Sequence, residues 1–202
     1  MSLIASAKQT GGFEPLEPGS YAAVCYGLID YGDQYSERWD KWQSKIRIMW
    51  EIPGEKITID GEERSRVVSK EYTNSLSDKA NLRSDLQSWR GREFTQEELA
   101  AFDLRNIVGV PCMLSIIHTT GKDGRTYIEV NGVMKLPKGF TIEKPTLEHV
   151  VFDVDTSPLE MVEQFPDWIQ SKIKSSRNYN DRLKDNGAAE NQFYNNEDEV
   201  PF

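Results

Sequence analysis

The chain has 202 residues but only two cysteines and two histidines. So few thiols exclude a fold built on disulfides. Cys25 and Cys112 form no Cys-x-x-Cys pair, and His118 and His149 are far apart in sequence, so a zinc site of ordinary ligand spacing is not expected. Both cysteines sit in apolar runs and read as buried thiols, and His118, within a strand-like run, reads as structural. No phosphate-cradling Gly-x-x-x-x-Gly-Lys-Ser/Thr loop occurs, so ATP-driven action is not indicated, and no cofactor is expected. No apolar run approaches the ~20 residues that a spanning helix needs, so no membrane partner is expected. The N-terminus lacks the charged-then-apolar pattern of a secretory signal, which makes the cytoplasm the expected location.

Basic residues are also scarce. Lys and Arg number 24 against 33 Asp and Glu, a net charge of −9. Taken as an average, this argues against nucleic acid, because phosphate binding is driven by Lys and Arg. The charge is unevenly placed, however. Residues 13–140 carry a net −3, residues 141–180 another −3, and the last 22 residues −4. The first 140 residues are therefore close to balanced.

Residues 1–18 read as a loose lead-in, with Gly11-Gly12, Pro15 and Pro18. A first strand is expected over 21–29, then a polar, aromatic-rich loop over 30–43. Residues 44–52 alternate with period 2, which marks a strand. Ile46, Ile48, Trp50 and Ile52 share one face, and Lys45, Arg47, Met49 and Glu51 the other. Pro53-Gly54 is expected to stop it, with a hairpin tip near Asp60-Gly61 and a third strand over 66–72. A helix capped by Ser77 or Asp78 should run to about Trp89, with Ala80, Leu82, Leu86 and Trp89 apolar and Gly91 ending it. Thr95 three residues before Glu98 is a capping box opening a short second helix. Strands over 111–118 and 125–134 follow, joined by a turn at 121–124 whose Asp-Gly pair is a hairpin signal.

Three strands, helix, two strands is the order of a mainly-β, five-stranded, OB-fold-like Greek-key barrel with a helical insert, an architecture that often binds oligonucleotides. Its body is expected over residues 19–140. A helical C-terminal extension over 141–176 should follow, with a helix at 158–175 interrupted by Pro166. Residues 177–202 read as a disordered linker and acidic tail.

Two stretches carry chemistry. The first is rich in rings and cations: Tyr35, Trp39, Lys41 and Trp42 lead into Lys45 and Arg47. Single-stranded nucleic acid is held by stacking bases on aromatic rings while Lys and Arg track the phosphates. The third strand adds Arg66, Lys70 and Tyr72 at every second position. These nine residues are the candidate DNA-binding set, against the alternative that the tryptophans are core or lid residues and the charges a solvated face. A rival constellation, Asp153 with Asp155, could hold Mg²⁺, but acids at this spacing are too common to carry a nuclease reading.

The second stretch is the C-terminal tip: Glu197, Asp198, Glu199, Val200, Pro201 and Phe202. A ring beside a free carboxylate can fill an apolar pocket whose rim is basic, and the upstream acids speed encounter with a basic surface. This tip closely resembles that of bacterial single-stranded-DNA-binding proteins, in which acids, an aliphatic residue and Pro-Phe end the chain. The body is longer than the bacterial pattern and looks more like a bacteriophage-encoded version acting in a bacterial host cell. The resemblance implies single-stranded DNA as ligand, no covalent chemistry, and replication, recombination or repair proteins docking on residues 197–202. It leaves a homo-oligomer open. The acidic tail is also expected to compete with DNA for the basic groove. The alternatives are an adaptor whose body binds protein rather than DNA, and an acidic DNA mimic. The near-balanced body speaks against the mimic.

Overall fold

The computed structural model describes residues 15–185. β1 (Gly19–Ser36), β2 (Lys41–Ile59) and β3 (Glu62–Thr73) form a meander of long strands. Helices α1 (Asn81–Arg90) and α2 (Gln96–Ala100) follow, then β4 (Pro111–Thr120) and β5 (Thr126–Met134). A short β6 (Val150–Phe152) and α3 (Asp167–Lys174) come last, and residues 177–185 are again helical.

The strands hydrogen-bond in the order β3-β2-β1-β4-β5, all antiparallel, while β6 joins β1 in parallel at Gly27, Leu28 and Ile29. The ends of this path, β3 and β5, have Cα atoms within 8 Å of each other, so the sheet curls into a half-barrel with a seam between them. β1 is the spine. Its first six residues pair with β4, and from Val24 onward it pairs with β2. A register shift between Cys25 and Gly27 accompanies the change. A Cβ at Gly27 would lie 2.2 Å from Cε of Met49, so a side chain there would require the end of the Met49 side chain to move.

The strands are longer than their hydrophobic patterns suggest. Residues 30–36, expected as loop, continue β1 and pair with β2 out to Ser36 opposite Lys41. Only residues 37–40 turn. Likewise Pro53-Gly54 does not stop β2. Its register against β3 shifts between Ile52 and Lys56, so a proline without an N–H falls in a bulge where no ladder bond is required of it. The Asp60-Gly61 tip is as expected: φ is 53° at Asp60 and 84° at Gly61, the left-handed pair of a tight hairpin turn.

The main core lies inside the curl. Ile46, Ile48, Trp50 and Ile52 pack with Leu82, Leu86 and Trp89 of α1 and with Leu114, Ile116, Val130 and Val133. Each such burial contributes about 1.5–3 kcal/mol. Cys25 and Cys112 belong to this core, and burial pushes the Cys25 thiol up to about 12, so it is not a ready nucleophile. His118 Nε2 lies 2.8 Å from the Leu16 carbonyl and pins the lead-in. α1 starts at Asn81 after an uncapped Ala80, later than either expected cap, and ends as expected at left-handed Gly91. The Thr95–Glu98 capping box is formed in both directions.

The second face of β1 and β2 is not solvated. Ile29, Tyr31 and Met49 pack there against Phe152, Val154, Val162, Ile169, Ile173 and Tyr179. The C-terminal extension therefore covers the strands as a second layer. Pro166 splits its expected helix into a 3₁₀ turn over Leu159–Gln164 and α3. Tyr179, in a stretch expected to be disordered, is buried and anchors helical residues 177–185 to this layer.

Candidate nucleic-acid interface

The β1–β2 hairpin carries three large rings that the core does not use. Tyr35 is 49%, Trp39 60% and Trp42 45% exposed. Tyr35 and Trp42 are directly paired across the strands, their centroids 5.4 Å apart in an edge-to-face arrangement. Asp40, at φ 48°, accepts a hydrogen bond from the Tyr35 hydroxyl and closes the turn. The Arg38 guanidinium lies 5.0 Å from the Trp39 ring, and that of Arg177 5.8 Å from the Trp42 ring. Lys41 is exposed at the tip, and Lys45 Nζ donates to Thr73 Oγ1 at 2.7 Å. Strand alternation puts Lys41, Lys45 and Arg47 on one side of β2 and Trp42 on the other. The hairpin thus offers rings and cations together, divided between its two sides. A cluster of exposed aromatics is costly to keep in water and marks a binding surface more often than a core.

Arg47 joins the sheet to the extension. Its Nε donates to the Tyr31 hydroxyl at 2.5 Å and one terminal nitrogen to Ser69 Oγ at 2.7 Å, while Glu71 lies 3.7 Å from the other. Its guanidinium lies 4.6 Å from the ring centroid of Trp168 in α3. Lys172, also in α3, forms an ion pair with Glu71 and lies 5.4 Å from the Tyr31 ring. Gln34 Nε2 donates to the Lys172 carbonyl at 2.9 Å, and the Asp33 N–H donates to Asn178 Oδ1 at 2.8 Å, so the extension grips the hairpin base as well.

The third-strand candidates do not join this surface. The register sets Tyr72 opposite Ile46, Lys70 opposite Ile48 and Arg66 opposite Ile52, all on the face that lines the main core. Tyr72 is 4% exposed, and its hydroxyl donates to Asp85 Oδ2 of α1 at 2.7 Å, the atom that Lys70 Nζ also meets at 2.8 Å. Burial, then Asp85, raises the Tyr72 pKa. Tyr72 is therefore a core tyrosine with a polar handle, and Lys70 a partly buried ion-pair partner. Arg66 lines the β3–β5 seam instead. Arg66, Lys70 and Tyr72 share one face of β3, and the pairing with β2 turns that face inward.

Asp153 and Asp155 are brought together with a third carboxylate, Asp30, their oxygens within 4.8 Å of one another. Each is already engaged. Asp30 accepts from the Gly32 N–H, Asp153 from the Asp155 and Thr156 N–H groups, and Asp155 from Asn178 Nδ2. Burial, reinforced by the neighbouring carboxylates against the Gly32 bond, pushes Asp30 up to about 6.

At helical spacing Trp168 reads as one of several apolar positions, yet the residue is 53% exposed. The tip residues Glu197, Asp198, Glu199, Val200, Pro201 and Phe202 lie outside the described residues. No protein-family model matches the chain, and no match is found among curated proteins.

Proposed function

We propose that this chain binds and protects single-stranded DNA largely without sequence preference, in replication, recombination or repair. It does so on a barrel of the OB type, and it recruits partner proteins through residues 197–202. The observation that carries this reading is the β1–β2 hairpin, where three exposed rings stand among Arg38, Lys41, Lys45 and Arg177. Rings stack on the faces of unpaired bases of any sequence, and cations beside them neutralise phosphates. The path β3-β2-β1-β4-β5 with helices between β3 and β4 supports the barrel assignment, since the hairpin is then the loop between strands 1 and 2 at which such barrels bind. The working set is Tyr35, Trp39, Trp42, Lys41 and Lys45, with Arg47 behind them.

Anisotropy titration of an oligo-dT against the chain and its Trp39→Ala, Trp42→Ala double variant tests this. Each ring removed should cost about 1–3 kcal/mol of binding. Wild-type affinity in the double variant would remove the hairpin from the site.

A second reading, an adaptor whose body binds protein, is favoured by the seam between β3 and β5. There Ile57, Ile59, Val67, Val68, Ile128 and Leu147 line a cleft of about 390 Å³. Tight partner binding without any DNA affinity would favour this second reading.

A further inference from the structure

We infer that the C-terminal extension adds its own base-stacking platform to the interface, the indole of Trp168. This inference rests on the single-stranded-DNA reading and extends it beyond the barrel. The guanidinium of Arg47 lies 4.6 Å from the indole centroid and so covers one face. Despite that cover the residue remains 53% exposed. The guanidinium is itself fixed by the Tyr31 hydroxyl, Ser69 and Glu71, so the ring beneath it is held before any ligand arrives. A flat ring with one face against a cation, on a residue that is about half exposed, suits a second flat, polarisable group, and a nucleobase is one.

The surroundings favour a base over a phosphate at this point. Arg47 donates to Tyr31 and Ser69 and faces Glu71, Lys172 is paired with the same Glu71, and Asp167 adjoins the ring in sequence, so the positive charge here is largely answered within the protein. Contact at Trp168 should therefore depend on the base and little on backbone charge. α3 also packs on β1, so a strand lying on both hairpin and platform would be held by two units of the fold at once.

The test compares two probes, an oligo-dT and an oligomer of the same length built from abasic sites, titrated against the full chain. The variants are Trp168→Ala, Trp168→Leu and Trp168→Phe. Alanine and leucine should weaken dT binding by about fivefold or more while leaving abasic binding nearly unchanged, and phenylalanine should restore most of the loss. Leucine keeps an apolar cover on Arg47, so it reports stacking even if alanine disturbs the fold. Photo-crosslinking of the wild-type chain to a 5-iododeoxyuridine oligomer should label Trp168, independently of any variant. If the wild-type chain binds dT and the variants match it, with no crosslink at Trp168, the platform is overturned while the DNA reading stands. An equal loss on both probes would make Trp168 a scaffold for phosphate contacts and also overturn it. If the wild-type chain binds neither probe, the DNA reading itself fails.

Discussion

Glu51, wholly buried in the middle of β2, accepts hydrogen bonds from both the backbone N–H and the hydroxyl of Thr146, at 2.9 and 2.8 Å. The Leu147 N–H donates to its other oxygen at 3.0 Å. One carboxylate thus holds the segment between β5 and β6 against the sheet. Burial alone would push its pKa up, but the hydrogen bonds from Thr146, Leu147 and Ser65 outweigh that, and the net shift is downward. The charge is therefore kept and used.

Replacing Glu51 by alanine leaves two backbone donors without their acceptor. Unsatisfied buried groups cost about 1–3 kcal/mol each, so stability to urea should fall by on the order of 3 kcal/mol. Glutamine keeps one acceptor but turns an NH₂ group toward donors, and it should fall between wild type and alanine. Equal midpoints for all three chains would mean that the segment is held by other contacts.

Asp30 gives the opposite sign. Its folded pKa, about 6, lies above the usual carboxylate value of ~4, so the folded state takes up the proton more readily than the unfolded one. Its contribution to stability is fully present below pH ~4 and is lost as pH rises through about 6. Asp30→Asn keeps an acceptor for the Gly32 N–H and removes the charge. It should raise stability at pH 7 by about 1–2 kcal/mol and have little effect near pH 4. Denaturation at the two pH values checks this, and a uniform effect at both would contradict it.

Tyr72 separates the core from the interface. Tyr72→Phe removes the hydroxyl that meets Asp85 and should cost about 1–2 kcal/mol of stability while leaving affinity for single-stranded DNA unchanged. A loss of affinity at unchanged stability would return Tyr72 to the binding surface.

The curled sheet was largely legible in the sequence, because alternation in β2, the Asp60-Gly61 turn and the Thr95–Glu98 box are local signals with local causes. What escaped was set by pairing at a distance. The polar stretch 30–36 becomes strand only because residues 41–46 lie opposite it, and Pro53 is tolerated only because a bulge receives it. β6 is three residues long and takes its identity from β1. For the site, the hairpin rings were readable as a dense aromatic run. Tyr72 and Lys70 were misplaced, because period 2 names two faces without saying which is buried. Trp168 was missed for the opposite reason, since a tryptophan among apolar helix positions gives no sign that it will face outward. Helical residues 177–185 carry Tyr179 as their single buried ring, too sparse a pattern to announce a packed helix.

The central claim is most directly tested by titrating an oligo-dT with the full chain at several salt concentrations. The account predicts binding at low salt that weakens linearly in log Kd against log salt, with a slope of roughly 0.7 per phosphate neutralised. Binding should be far weaker to duplex of the same length, whose base faces are stacked away. No measurable binding to oligo-dT at low salt, by the full chain and equally by a chain ending at residue 185 that lacks the acidic tail, would contradict it.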